Sequence, residues 1–381
     1  MKKVMFMTNS LYGGGAEKIL QTIINNLDYG KYDITLYSMH RERIDTKIYT
    51  KKFHYKVVFD DYIGDSIFFR GIFNLFKKVK GRLFNTIPSS LFYTLFFHEK
   101  YDVEIAFIEG ESTKIISGSN NRNSKKYAWV HIDLEQNPWT AFLYHDKEDE
   151  GKHYSAFDKI ICVSNSVREA FIHKFGIDDG RVLVKYNPID RNEILRKAVL
   201  YKIEKKNDKF RLISVGRLVE QKGYDRLLRI AYQLKQSNIN FELMILGEGA
   251  ERKNYERYIK EKELEQTVFL MGYQENPYAY MNSSDLFICS SRSEGFSTVV
   301  TEAVILGLPV ISTECAGIYE LFGEEKCGII VKNDENSLFN AIYDTLSHPY
   351  LLEVYRKASM KRGKEFSLEN SIAKIEELLD V

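Results

Sequence analysis

The sequence predicts an α/β protein of two domains, each a parallel sheet with helices between its strands. Three observations carry this reading. Short apolar runs alternate with segments of helical spacing along most of the chain, and strand–helix repeats build parallel sheets. The 381 residues are enough for two independent cores. Tyr186-Asn187-Pro188-Ile189-Asp190 punctuates the chain, a charge-rich stretch over 191–208 follows, and Phe210 opens a second series of strands. The domains are therefore expected over 1–188 and 189–366.

Composition narrows the function classes. Hydrophobic content of 44% and charged content of 28% are ordinary for a globular chain. Lys plus Arg number 54 against 53 Asp plus Glu, so no global field favours nucleic acid as a partner. Cys162, Cys289, Cys315 and Cys327 form no C-x-x-C pair and no zinc spacing, which fits free thiols in a reducing compartment. The apolar run after Met1-Lys2-Lys3 is too short for a secretory leader, and no stretch approaches the ~18 apolar residues of a membrane span. A cytoplasmic location, in solution or peripheral on the inner face of the plasma membrane, is expected.

In the first domain, Val4 to Thr8 reads as a strand and 16–27 as a helix, with Ile19, Leu20, Ile23, Ile24 and Leu27 on one face. The loop between them carries Gly13-Gly14-Gly15, which is not G-x-G-x-x-G. After the next strand, Asp33 to Ser38, no acidic residue stands where a dinucleotide ribose needs one, so NAD is disfavoured. The stretch 66–98 holds Arg70, Lys77, Lys78, Lys80 and Arg82, no acidic residue and nine aromatics. It fits an anionic membrane surface or, equally, core-packing helices with a solvated basic face. Val103 to Ile108 is a strand ending at Glu109-Gly110-Glu111, and Tyr127 to Val130 another, ending at His131-Ile132-Asp133. His131 thus stands at the carboxyl end of a parallel strand, where ligands gather in open α/β sheets. The run 145–153 reads as a solvated charged segment, and 160–164 as a strand before a helix over 167–175.

In the second domain, Arg211 to Val215 is a strand followed by Gly216-Arg217-Leu218-Val219-Glu220-Gln221-Lys222-Gly223. A cationic pair at a strand's carboxyl end suits a diphosphate, Arg gripping two oxygens and Lys acting as a point charge. Strands at 242–246 and 268–271 lead to Gly247-Glu248-Gly249 and Gly272-Tyr273. Asp285 to Cys289 leads to Ser290-Ser291-Arg292-Ser293-Glu294-Gly295-Phe296-Ser297 and a helix over 298–306, with Gly307 at its stop and Pro309 beyond. A strand and helix joined through Gly295 point main-chain N–H groups at an anion. Glu302 is the sole charged residue between Gly295 and Thr313, in a helix apolar on nearly all sides, so it is expected to be buried. A buried carboxylate needs donors, and a pair of sugar hydroxyls would serve.

Glu294, seven intervening residues, Glu302, Ala303 and then Gly307-Leu308-Pro309-Val310-Ile311 resemble the signature of the retaining family-4 glycosyltransferases. The resemblance implies a GT-B fold, two Rossmann-like domains facing a central cleft, with the helix over 367–381 crossing back onto the first domain. It implies that Glu294 contacts donor-sugar hydroxyls, Glu302 holds the nucleotide ribose, and the amides of Gly295, Phe296, Ser297 and Thr298 meet sugar and diphosphate. Arg217 and Lys222 match the family's diphosphate-binding cations, His131 its active-site histidine, and Tyr273 lies where relatives hold the nucleobase. Gly14 and Gly15 would bring main chain close to the donor phosphate or the acceptor, and Asp133 is assigned an acceptor contact. Because many relatives elongate lipid-linked acceptors, the membrane reading of 66–98 gains.

The expected activity is transfer of a sugar, with retention, from a nucleotide diphosphate sugar (UDP favoured as the family's commoner donor) to a glycan or lipid-linked acceptor in cell-envelope polysaccharide synthesis. His131, Glu294, Arg217 and Lys222 are the expected catalytic residues. No cofactor is expected, the nucleotide sugar being a substrate. No Asp-x-Asp follows a strand, which argues against a metal neutralising the diphosphate. The rival readings are a non-catalytic glycan- or partner-binding subunit, a nucleotide-sugar epimerase and a phosphorylase of the same fold. Intact His131, Arg217, Lys222, Glu294 and Glu302 argue against the first.

Overall fold

The computed structural model describes residues 1–11, 14–40, 52–59, 87–205 and 208–380. The chain divides into two units, Met1–Tyr186 with Ser371–Val381, and Asn187–Asn370. Unit 1 holds strands β1 (Lys2–Thr8), β2 (Tyr32–His40), β3 (His54–Phe59), β4 (Val103–Ala106), β5 (Lys125–Val130), β6 (Lys159–Cys162) and β7 (Val182–Val184). They form one sheet in the order β3-β2-β1-β4-β5-β6-β7, every pair parallel. The helices described between them are α1 (Gly15–Asn26), α2 (Ser89–Phe96), α3 (Glu111–Ile116), α4 (Lys147–Ser155) and α5 (Asn165–Phe175).

A parallel sheet covered on both faces needs strands apolar throughout, and Val4, Met5, Phe6 and Met7 are each fully buried. The five-residue run that reads as a strand over 160–164 ends two residues early, because Ser164 turns out of the sheet to cap α5, its hydroxyl accepting from Val167 N at 3.2 Å. The charged run 145–153 is not wholly solvated. It forms most of α4, and Glu150 on its inner side is buried against Thr140 Oγ1 and, at 3.3 Å, Lys174 Nζ. Alternation of charge along that sequence conceals one inward residue per turn.

Of the stretch 66–98, residues 66–86 lie outside those described, Lys77, Lys78 and Lys80 among them. In the remainder, Phe92, Tyr93 and Phe97 are buried, with Phe92 stacking on Phe96 at 4.6 Å and Tyr93 on Phe97 at 4.8 Å. These aromatics therefore pack in the core of unit 1. Among the described residues no helix is long and apolar enough to cross a membrane. The last helix, α14 (Leu368–Asp380), is capped by Ser367, whose hydroxyl accepts from Asn370 N. It docks on unit 1: Lys2 Nζ donates to Leu379 O at 2.8 Å and Tyr32 Oη to Asp380 Oδ1 at 2.6 Å.

Unit 2 holds α6 (Arg191–Ala198), β8 (Phe210–Val215), α7 (Tyr224–Gln236), β9 (Phe241–Leu246), α8 (Arg252–Glu261), β10 (Val268–Gly272), α9 (Pro277–Asn282) and β11 (Leu286–Cys289). It continues with α10 (Thr298–Ile305), β12 (Val310–Thr313), α11 (Ile318–Phe322), β13 (Gly328–Val331), α12 (Glu335–Ser347) and α13 (Tyr350–Arg362). Its sheet runs β10-β9-β8-β11-β12-β13, again parallel at every pair. Leu227, Leu228, Ile230, Ala231 and Leu234 of α7 join the same core as Leu243, Ile245, Leu286 and Ile288. Full burial of each such aliphatic side chain contributes about 1.5–3 kcal/mol. In both units the strand order reverses beside the first strand, between β1 and β4 and between β8 and β11. In open sheets that reversal leaves a crevice outside the carboxyl ends, because the two connections leave toward opposite faces.

Candidate active site

In unit 2 the loops after β8 and β11 meet at this crevice. Lys222 Nζ lies 2.7 Å from Glu294 Oε1, and Ser291 Oγ donates to the same oxygen at 2.5 Å. The loops are also tied through main chain. Arg292 N donates to Gln221 O at 2.7 Å, Gln221 Nε2 to Ser293 O at 2.8 Å, and Ser290 Oγ to Lys222 O at 2.8 Å. Gly223 has φ +65°, and a Cβ there would run into the Ser290 carbonyl oxygen, so glycine is what permits the approach. Beneath the loop, the buried guanidinium of Arg226 donates to Ser290 O at 2.6 Å and Ser291 O at 2.8 Å. A small recess, about 10 Å³, opens among Lys222, Tyr224, Cys289, Ser291, Glu294 and Val299.

Electrostatics keep Lys222 charged here. Burial pushes its pKa down, but the Glu294 carboxylate outweighs burial and leaves it above the usual lysine value. Next along the chain, Ser297 is the N-cap of α10, yet its hydroxyl makes no capping bond. The Ser293 and Ser297 hydroxyls are both buried, and no described group is hydrogen-bonded to either. Unsatisfied buried hydroxyls are costly, and the one at the N-terminus of α10 suits a polar, anionic ligand. Glu302 is buried as expected, at 2% exposure, and the Tyr278 hydroxyl donates to its Oε1 at 3.3 Å. That donor, from α9, belongs to the protein itself.

Residues 196–362, which span these loops, match the family described as glycosyl transferases group 1. That match, over most of unit 2, marks the chain as a glycosyltransferase. Over nearly its whole length it is similar to the N-acetylgalactosamine-N,N'-diacetylbacillosaminyl-diphospho-undecaprenol 4-alpha-N-acetylgalactosaminyltransferase of Campylobacter jejuni, 29% identical over 96% of each chain. It is 28% identical to the Escherichia coli O-antigen biosynthesis glycosyltransferase WclY over 46% of this chain and 49% of that one. Among solved structures, Anabaena HepE in complex with UDP and glucose superposes with a TM-score of 0.76 at 19% identity, covering 100% of both chains. That likeness is one of fold, and the fold of this glycosyltransferase is GT-B, two Rossmann-like units.

Arg217 is exposed at the end of β8, and among the described residues it has no ion-pair partner. Lys222 Cε would be 3.4 Å from a Cβ on Gly216, so the lysine chain passes directly beside Arg217's neighbour. Gly295, Phe296 and Thr298 complete the turn into α10, and Asn187 Nδ2 donates to Phe296 O at 3.4 Å. Tyr273 is 77% exposed after β10, the edge strand, two strands from β8. It is not brought against Lys222 or Glu294.

In unit 1, Gly14 is the extended N-cap of α1 and Gly15 its first residue, at the carboxyl end of β1. Two strands along, the His131 Nε2–H donates to Phe107 O at 2.8 Å. A carbonyl only accepts, so Nε2 carries the hydrogen and Nδ1 is the lone-pair nitrogen of the neutral ring. Burial pushes the ring's pKa down to about 4, partly countered by that bond. Asp133 Oδ1 accepts from the main-chain N–H of Glu135 and Gln136, each at 2.9 Å, so its described partners are those of a turn. Sequence reading passed over Glu109, whose carboxylate accepts from the main-chain N–H of both His131 and Ile132. The strand-end position that singled out His131 applies equally to Glu109.

Proposed function

We propose that this glycosyltransferase transfers a sugar from a UDP-sugar, with retention and without a metal, to a lipid-linked glycan in cell-envelope polysaccharide synthesis. The observation that carries the reading is the Lys222–Glu294 pair at the crevice of unit 2, set before the unpartnered Ser297 hydroxyl at the start of α10. In this scheme Lys222, Arg217 and the α10 amides neutralise the diphosphate as it leaves, where electrostatic help counts most. A cation held above its usual pKa and a second, exposed guanidinium suit that task. Glu294 then exchanges its bond with Lys222 for donor-sugar hydroxyls, and Glu302 adds ribose hydroxyls to the Tyr278 bond. His131, neutral, offers Nδ1 as an acceptor to a sugar hydroxyl.

Support for the donor comes from HepE, solved with UDP and glucose, and for the acceptor from the Campylobacter relative, named for a diphospho-undecaprenol-linked glycan. The deciding experiment titrates the protein with UDP, GDP and ADP, then screens nucleotide sugars for hydrolysis, which needs no acceptor. UDP binding with release of UDP from one UDP-sugar is expected, and no binding of any nucleotide would sink the reading. We further propose that the basic part of 66–98, from Arg70 to Arg82, meets an anionic membrane surface. Lys77, Lys78 and Lys80 changed together to Glu should then lower liposome co-sedimentation, each cation contributing about 1 kcal/mol.

A further inference from the structure

Glu109 ends the run that follows β4, beside β1, at the crevice of unit 1. Gly110 takes φ +89° and so turns the chain at once, leaving the Glu109 side chain at the strand's end. The residue is 2% exposed. Its Oε1 accepts two main-chain N–H groups, from His131 and, at 3.0 Å, from Ile132. Both bonds that other described residues make to this carboxylate end on Oε1, and the residue's own main-chain N–H is the third amide turned toward it.

The titratable and charged groups facing this carboxyl are Glu17 of α1, Tyr144 before α4, Tyr154 within α4, Cys162 at the end of β6 and His131 after β5. Among the described residues no Lys or Arg forms an ion pair with this carboxyl. Burial pushes the carboxyl up to about 7, with the amide donors holding it down. A strut for two amides needs one neutral acceptor oxygen, as Gln would supply. A buried carboxylate without a cation is costly, and its second oxygen can still accept one strong hydrogen bond from outside the protein.

We propose that Glu109 is a substrate-contact residue: Oε1 orients the His131–Ile132 peptide while Oε2 accepts a hydrogen bond from a sugar hydroxyl. This rests on the glycosyl-transfer reading above. The hydroxyl belongs to the donor sugar or to the acceptor, and the two are separable. Glu109→Gln keeps an acceptor for the amides but presents an N–H donor in place of Oε2. The experiment compares parent and variant in UDP titration, in UDP-sugar hydrolysis without acceptor, and in transfer to a short-chain polyprenyl diphosphate-linked N-acetylhexosamine.

UDP affinity should be unchanged. A loss of about tenfold or more in hydrolysis and transfer alike assigns the hydroxyl to the donor, and a loss in transfer with hydrolysis intact assigns it to the acceptor. Equal rates in both assays overturn the proposal. A parent that neither binds UDP nor hydrolyses any UDP-sugar overturns the glycosyl-transfer reading instead. If the variant does not fold, the parent's pH profile decides. Turnover should fall as pH drops through about 7 with UDP affinity flat, and a profile level from pH 6 to 8 overturns the assignment.

Discussion

Lys222 and Glu294, seventy-two positions apart in the chain, are joined by a 2.7 Å ion pair across the crevice of unit 2. Without substrate, each neutralises the other. A diphosphate arriving at Lys222 replaces Glu294 as its partner and releases the carboxylate toward the sugar. Glu294→Gln should therefore leave UDP affinity within about threefold of the parent, since the full charge of Lys222 remains, while lowering turnover by about 100-fold or more. Calorimetric titration beside the hydrolysis rate reads both. A variant that loses UDP binding and turnover together would make Glu294 a structural anchor of the lysine.

Glu302 sits further inside α10 and should answer differently. Hydrogen bonds to a charged partner contribute roughly 1.5–3 kcal/mol, so Glu302→Gln should weaken UDP by more than about tenfold. Tyr278→Phe removes one donor that belongs to the protein itself and serves as the control, expected to change UDP affinity far less. If Glu302→Gln binds UDP as the parent does, the carboxylate is structural and the ribose assignment fails.

Gly223→Ala tests the stitching of the two loops. A φ of +65° is strained for alanine, and its methyl would press on the Ser290 carbonyl oxygen. The strain of the backbone alone costs about 1 kcal/mol or more, which is a fall of at least about 2–4 °C in the melting point of a unit this size. Scanning calorimetry is the measurement. An unchanged melting point would mean that the loops part without cost.

Burial of the His131 ring and of the Glu109 carboxyl makes stability depend on pH through two opposed terms. The His131 ring is depressed to about 4, so its stabilisation is present above the ordinary histidine value near 6.5 and lost as pH falls toward 4. Glu109 is raised to about 7, so its stabilisation is present below the ordinary glutamate value near 4.5 and lost as pH rises through 7. In the parent the two offset each other across that window. In Glu109→Gln the melting point should rise with pH from 4 to 6.5, and in His131→Asn it should fall from 4.5 to 7. Parallel curves for both variants would show that neither group titrates as assigned.

Because Arg217, Lys222 and helix amides are assigned the diphosphate charge, UDP-sugar hydrolysis should survive excess chelator. Loss of activity in EDTA, restored by manganese or magnesium, would move that task to a metal.

Much of this was legible in the chain itself. Strand runs such as Val4–Met7 and Leu286–Cys289, and the Gly–Pro stop after α10, follow from local periodicity and turn chemistry, which act between near neighbours. The spacing of Glu294 and Glu302 carried the family resemblance for the same reason, being a pattern within one strand–turn–helix unit. What tertiary structure decided lies in contacts between strands far apart in sequence. Sheet order, which no local signal encodes, brings β8 beside β11 and so pairs Lys222 with Glu294, while it leaves Tyr273 two strands away. It sets β4 between β1 and β5, which turns Glu109 from one more acidic residue at a strand end into the buried partner of the His131 peptide. It supplies Tyr278 as a donor to Glu302 and buries Glu150 within a run that reads as solvated charge. Pairing energies of that kind depend on which groups share a low-dielectric interior, and packing alone determines that.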